Sequence, residues 1–242
     1  ANVLGKTLRQ SYVEALRTFL PWAQRTTLPD FKQASLIALS AAPSLMPVNQ
    51  AGEVSYGQIS DGAETWSLAR YGRGIGISYV AIINDDLSAL TRLPAMFGAA
   101  ASRLESDVVY AQLLANGNLA DGGALFNATA VTTTGGHDNL TSGGTSALTA
   151  NAAGITAVGA LEEKINKQVA PGTNSPLNLR GAFLLVPPAL GTVGRQLFSG
   201  AVINAQPNTQ NVFQGQYQFI QEGRLQLGMT IGTTPYTGSS TA

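Results

Sequence analysis

Residues 53–87 read EVSYGQISDGAETWSLARYGRGIGISYVAIINDDL. On one side of Ser60-Asp61-Gly62-Ala63, Val54 and Tyr56 alternate with Ser55 and Gly57. On the other side, Trp66 and Leu68 alternate with Ser67 and Ala69. Period-2 alternation is the signature of a strand, and Asp-Gly favours a hairpin turn because glycine takes a positive φ without a Cβ penalty. The spacing therefore predicts a β-ribbon that folds back at Asp61-Gly62. A two-stranded ribbon cannot bury its apolar side chains alone and is marginal in water. It reads either as a surface hairpin of a larger sheet or as an arm that lies on a neighbouring subunit. Trp66, Tyr56 and Tyr71 favour the arm, since aromatics are enriched in interface cores.

Composition points the same way. The chain has 242 residues, enough for one large domain or two smaller ones. Charged residues make up 12%, with 14 basic and 14 acidic side chains, against about 25% in a typical soluble domain. Few charges and no net charge favour association and give no clustered positive surface for nucleic acid. The absence of cysteine excludes a disulfide framework and thiolate chemistry. No apolar run is long enough to span a membrane as a helix, and Ala1-Asn2-Val3-Leu4 lacks the pattern of a signal peptide.

Working outward from the ribbon, Leu8, Tyr12, Ala15, Leu16 and Phe19 lie at helical spacing before Pro21. Prolines at 21, 29, 43 and 47 predict an extended arm between them. Beyond the ribbon, Asn84-Asp85-Asp86 reads as a helix N-cap cluster, opening a short helix over residues 87–91. Pro94 suits the first turn of a second helix that runs to Ala115 and stops at Asn116-Gly117. That helix has about 22 residues and a length of roughly 33 Å. Phe97, Ala100, Leu104, Val108, Ala111 and Ala115 share one face of it, and Arg103 and Asp107 are spaced for a weak pair. Residues 129–154, rich in Thr, Gly, Ser, Asn and Ala, read as a long loop. A helix over 155–169, a buried strand over 182–186, a helix opened by Pro187-Pro188 and running through Phe198, and a strand over 212–220 follow. The order of elements is α+β.

No constellation of catalytic residues is present. His137, the single histidine, sits in the low-complexity stretch, which leaves the common zinc sets unavailable. No Gly-x-Ser-x-Gly elbow accompanies it. Gly72-Arg73-Gly74-Ile75-Gly76 lacks the third glycine spacing and the following helix of a phosphate loop and reads as glycines within a twisted strand. Asp85-Asp86 is explained by helix capping, and Glu162-Glu163-Lys164 by a solvated face. The chain is not expected to be an enzyme, to bind a metal or to carry a cofactor.

Residues 71–93, YGRGIGISYVAIINDDLSALTRL, continue into LPAMFGAAASRLESDVVYAQLLANG (93–117), and the chain later reads FLLVPPAL (183–190) and NVFQGQYQFIQEGRL (211–225). These segments resemble tailed-bacteriophage major capsid proteins of the Hong Kong 97-type fold, in the Mu-like branch. The resemblance spans most of residues 20–228. It implies an N-terminal arm (1–47), an extended β-hairpin loop (48–75), a peripheral domain (76–154 and 208–242) with a spine helix (94–115), and an axial domain (155–207). It also implies hexamers and pentamers of this chain forming an icosahedral shell around double-stranded DNA in the virion, assembled in the bacterial cytoplasm, with portal and decoration proteins as further partners. The neutral charge then predicts weak contact with packaged DNA, without sequence preference. In this family a phage protease removes a leader or scaffold, and a first residue other than Met agrees with that. The chain departs from its relatives after Gly228-Met229-Thr230-Ile231-Gly232, where they usually continue with more peripheral-domain sequence.

On this reading the subunit contacts fall on Val54, Tyr56, Ile59, Trp66, Leu68 and Tyr71 of the ribbon and on Phe19 and Trp22 of the arm. Arg70 and Arg73 would pair with acids across the seam. Some relatives cross-link subunits through a loop lysine and a neighbour's asparagine. The lysines here are Lys6, Lys32, Lys164 and Lys167, all outside the loop, so no such bond is expected. An encapsulin-type nanocompartment shares the fold and remains an alternative. A tail or decoration protein, suggested by the Thr/Gly-rich stretch, is another.

Overall fold

The computed structural model describes residues 2–14, 16–39, 45, 48, 52, 61–84, 89–141, 148–170, 175–199, 213–226, 230–231 and 234–235. Its elements in chain order are α1 (Asn2–Glu14), β1 (Ala34–Leu39), β2 (Asp61–Trp66), α2 (Tyr79–Ile83), α3 (Ala89–Ala115), α4 (Ala152–Asn166), β3 (Phe183–Val186), α5 (Gly191–Ser199), β4 (Gln218–Gln221), β5 (Thr230–Ile231) and β6 (Thr234–Pro235). Helices and strands mix without a βαβ series, as the α+β reading expected.

The ribbon exists, but its pairing differs from the expectation. β2 pairs antiparallel with β1, from Ala34 opposite Trp66 to Leu39 opposite Asp61. Asp61 and Gly62 are therefore strand residues and not a turn. A local turn preference of a kilocalorie or so yields to six paired residues from a distant segment. Val54, Tyr56 and Ile59, the expected first arm, lie outside the described residues.

Three further expectations change. Residues 67–78 form no strand, because no segment among the described residues pairs with them and glycines at 72, 74 and 76 weaken extended structure. The apolar residues after them coil into α2, which Asn84 closes by donating its N–H to the Val80 carbonyl at 3.0 Å. Asn84 thus ends a helix and does not open one; Asp85 and Asp86 lie outside the described residues. Finally, α3 is one helix of 27 residues with Pro94 inside it. Proline removes one backbone bond near the start of a long helix, a loss the remaining turns tolerate.

α3 organises the fold. It ends where expected, with Asn116 at φ 45°, and its side-chain amide pairs with the Phe126 backbone in both directions. Its most buried positions recur every four residues: Gly98, Ser102, Ser106 and Tyr110. The expected face is less enclosed, with Phe97, Leu104 and Val108 half-buried and Ala100 and Ala115 exposed. Small residues win because α1 packs along this stripe. A Cβ on Gly98 would overlap the Leu8 carbonyl and lie 3.1 Å from both Ser11 Cβ and the Tyr12 backbone nitrogen. Arg103 turns back to the Ala99 carbonyl. Asp107 pairs instead with Arg224, 2.5 Å away from the far end of the chain.

A second core lies beyond the loop. Val158 of α4 packs with Leu197 and Phe198 of α5, bordered by Ile155, Leu184, Phe213 and Tyr217. Phe198 meets Tyr217 edge-on at 5.4 Å. β3 and β4 pair in parallel, burying Val186 and Ile220. β4 is shorter than the expected strand over 212–220, since residues 213–216 turn before it. α4 opens on Asn151, whose side chain accepts the Gly154 N–H. The Thr/Gly-rich stretch has no regular element among its described residues before α4, which begins at Ala152 and ends at Asn166 rather than spanning 155–169, and side chains knit it together. The Asn127 carboxamide accepts from the His137 and Thr129 N–H groups and donates to the Ala124 and Gly135 carbonyls.

Candidate subunit interface

Two carboxylates fasten the arm to α3. Glu105, half-buried on α3, takes hydrogen bonds from the Tyr12 hydroxyl and from Arg17 at 3.0 Å, with Arg25 at 3.5 Å. Arg17 also lies 4.7 Å from the Tyr12 ring centroid. Glu222, nearly buried, accepts from Thr18 and from Arg224, which holds Asp107 in turn. Thr18 shares a 2.9 Å hydrogen bond with Tyr110, and Trp22 meets the Tyr110 ring edge-on at 5.7 Å. Tyr12 and residues 17–25 are thereby part of the body.

Burial raises the Glu105 carboxyl, but hydrogen bonds from Tyr12 and Arg17 and the charges of Arg25 and Arg17 outweigh it. The net position is below the usual carboxylate range. A carboxylate depressed in the folded state contributes stability above its ordinary pKa, and that contribution is lost as pH falls through the folded value. Wild-type subunits should therefore lose more of their melting temperature than Glu105→Gln subunits between about pH 6 and about pH 3. Parallel acid profiles of the two would show no connection if the arm were held by other groups.

Of the sequence-predicted contacts, Phe19 is 4% exposed and belongs to the chain's own core. Trp22 is half-buried against Tyr110. The arm aromatics thus serve the subunit's interior before any neighbour, because the turn at 18–23 folds them onto α3. The structure leaves Trp66, Leu68 and Tyr71 exposed, at 37%, 42% and 59%. Arg70 and Arg73 are exposed on the same segment. β1 adds Leu36 and Ile37, both above 60% exposed and on opposite faces of the ribbon. They were missed because the alternation of residues 54–69 supplied a nearer partner; the apolar run ASLIAL at 34–39 was the available signal. Tyr71 also borders an open apolar groove of about 420 Å³ with Phe19, Leu104 and Val108.

His137 is structural. Its Nδ1 lies 2.7 Å from the Ala124 carbonyl and its Nε2 3.0 Å from Asp121, while Gln168 of the segment after α4 donates to its backbone carbonyl. The Gly123 backbone N–H and His137 hold the Asp121 carboxyl below its usual range. Among the described residues, no cluster of three or more His, Asp and Glu side chains has the arrangement of a metal site, and no helix is long and apolar enough to cross a membrane.

Exposed apolar side chains on the β1–β2 ribbon agree with the comparison to known families. The family model described as phage capsid protein matches residues 63–242. The chain belongs to the phage capsid protein family. It is a structural capsid protein of a phage, and its location is the virion. Among solved structures, this capsid protein is similar to the one described as the capsid of bacteriophage JBD30 decorated with minor capsid protein trimers. The identity is 13%, the match covers 90% of this chain and 98% of that one, and the TM-score is 0.58. That likeness shows a shared fold. No curated protein matches the capsid protein.

Proposed function

We propose that this capsid protein is the major head subunit of a tailed phage, with the Hong Kong 97-type architecture in its Mu-like branch. Hexamers and pentamers of it build an icosahedral shell around double-stranded DNA. It assembles in the host cytoplasm, with portal and decoration proteins as further partners. Residues 1–47 form the N-terminal arm and residues 48–75 the extended loop. Residues 76–154 and 208–242 form the peripheral domain, with α3 as its spine, and residues 155–207 the axial domain. Catalysis has no part in this role.

One observation carries the reading: the ribbon exposes Leu36, Ile37 and Trp66 on both its faces. A ribbon of this kind needs cover from another molecule. Covering it is worth about 25 cal/mol per Å² of apolar area, less the loss of freedom on docking. In a shell, that cover is another copy of the chain, with Leu68 and Tyr71 extending the contact and Arg70 and Arg73 meeting acids across the seam.

Negative-stain images of purified wild-type protein should show closed shells. Trp66→Ala should yield folded, unassembled subunits of near wild-type stability. Normal shells from Trp66→Ala would remove the ribbon from the assembly mechanism. The extended loop at residues 48–75 contains no lysine, so boiled shells should run as a single monomer band on a denaturing gel. A ladder of covalent multimers is the contrary result.

A further inference from the structure

The ribbon touches its own body at one polar point. Glu64 Oε1 accepts the Ala120 N–H at 2.8 Å, an exposed bond and the one hydrogen bond among the described residues that joins β1 or β2 to the body. Neither strand makes an extensive contact with another described element.

The receiving end is built firmly. Ala120 lies in a turn closed by Leu119 N–H to the Gly123 carbonyl at 2.8 Å and Gly122 N–H to the Leu119 carbonyl at 3.0 Å. Asn116 braces the turn from the end of α3, and Asp121 and His137 brace it from below. The ribbon, which carries the accepting Glu64, is held to the body through two irregular segments. Beyond Arg25, which meets Glu105, and Tyr71, which borders the groove on α3, residues 26–33 and 72–78 are stalks without regular structure, and Gly72, Gly74 and Gly76 have open space around them. The shorter of these, seven residues, can span at most about 23–25 Å when extended, enough to move the ribbon off its own chain. Glu64 shares a ribbon face with Leu36 and Trp66, and the pose within the chain satisfies Glu64 while leaving those two in water.

From the single exposed contact, the rigid receiver and the two stalks, we propose that this bond is exchanged on assembly: the 119–123 turn of one copy receives Glu64 of the next. Every copy carries both halves, so exchange needs no new surface and the contact repeats around a closed ring. The proposal rests on the shell reading above. It adds the receptor for the ribbon and predicts that Leu36 and Trp66 are buried beside the neighbour's 119–126 segment.

The chain has no cysteine, which makes the test clean. Copies bearing only Glu64→Cys are mixed with copies bearing only Ala120→Cys, assembled, and treated with a short bis-maleimide. Peptide mass spectrometry then seeks a link between positions 64 and 120, which in this mixture forms only between copies. The expected result is that link in shells and its loss in unassembled mixtures. In the doubly substituted chain, the link should be within the chain before assembly and between chains after it. Retention of the within-chain link in shells, or shells with no 64–120 link, would overturn the exchange while leaving the shell reading intact. If the wild-type chain forms no shells, the functional reading fails and this one with it.

Discussion

Tyr110→Ala lowers the stability of the unassembled subunit by about 4 kcal/mol, as expected for deletion of a fully enclosed aromatic side chain. Tyr110 has no exposed surface. Its ring supports Trp22 and its hydroxyl meets Thr18, so the substitution opens a cavity and frees the arm together. Urea denaturation followed by tryptophan fluorescence should show a lower midpoint with little change in slope. Limited proteolysis should cut the variant first between residues 12 and 33. A loss below about 1 kcal/mol would mean that the arm's turn does not pack against α3, since surface changes rarely exceed that range.

Glu222→Ala should be nearly as damaging, at about 3 kcal/mol. Breaking one side of an enclosed ion pair costs about 3–5 kcal/mol because the remaining charge loses its partner, and the partial exposure of Arg224 and Asp107 lowers that figure. Arg224 would keep Asp107, while Thr18 would keep only Tyr110. Glu222→Gln preserves an acceptor for Thr18 and should lie between the two. The informative comparison is a double-mutant cycle with Thr18→Val. A coupling energy near zero would show that the arm and the segment after β4 are stabilised independently.

The parts of this fold that could be read in the sequence are those whose signals are local. The helix ending at Asn116-Gly117 is visible because an αL residue terminates it. FLLV, a short apolar run ended by two prolines, reads as a strand and forms one. The ribbon's partner was hidden because Asp61-Gly62 offers a turn where the chain instead forms a ladder with residues 34–39. The buried face of α3 was hidden because hydrophobicity ranks Ser102 and Ser106 as surface residues. Close helix packing selects them for size. Asp107 has a plausible partner one turn away in Arg103 and a real one 117 residues away in Arg224. The candidate interface divides in the same way. Trp66, Leu68 and Tyr71 were identified by pattern and are exposed, whereas Phe19 has the same character but is enclosed by a turn that only tertiary structure reveals.

The Thr18–Glu222 bond spans 204 residues, and that span is also an interval of time. At about 5–20 residues per second of synthesis, it amounts to about 10–40 s on the ribosome. Tyr110 and Glu105 emerge roughly midway, so the arm can first rest on the spine alone and gains its second fastening when Glu222 follows. A nascent subunit therefore presents a half-latched arm throughout the later part of its translation. Full arrest of the arm, and the rigid body on which neighbours can settle, comes only when synthesis has passed β4.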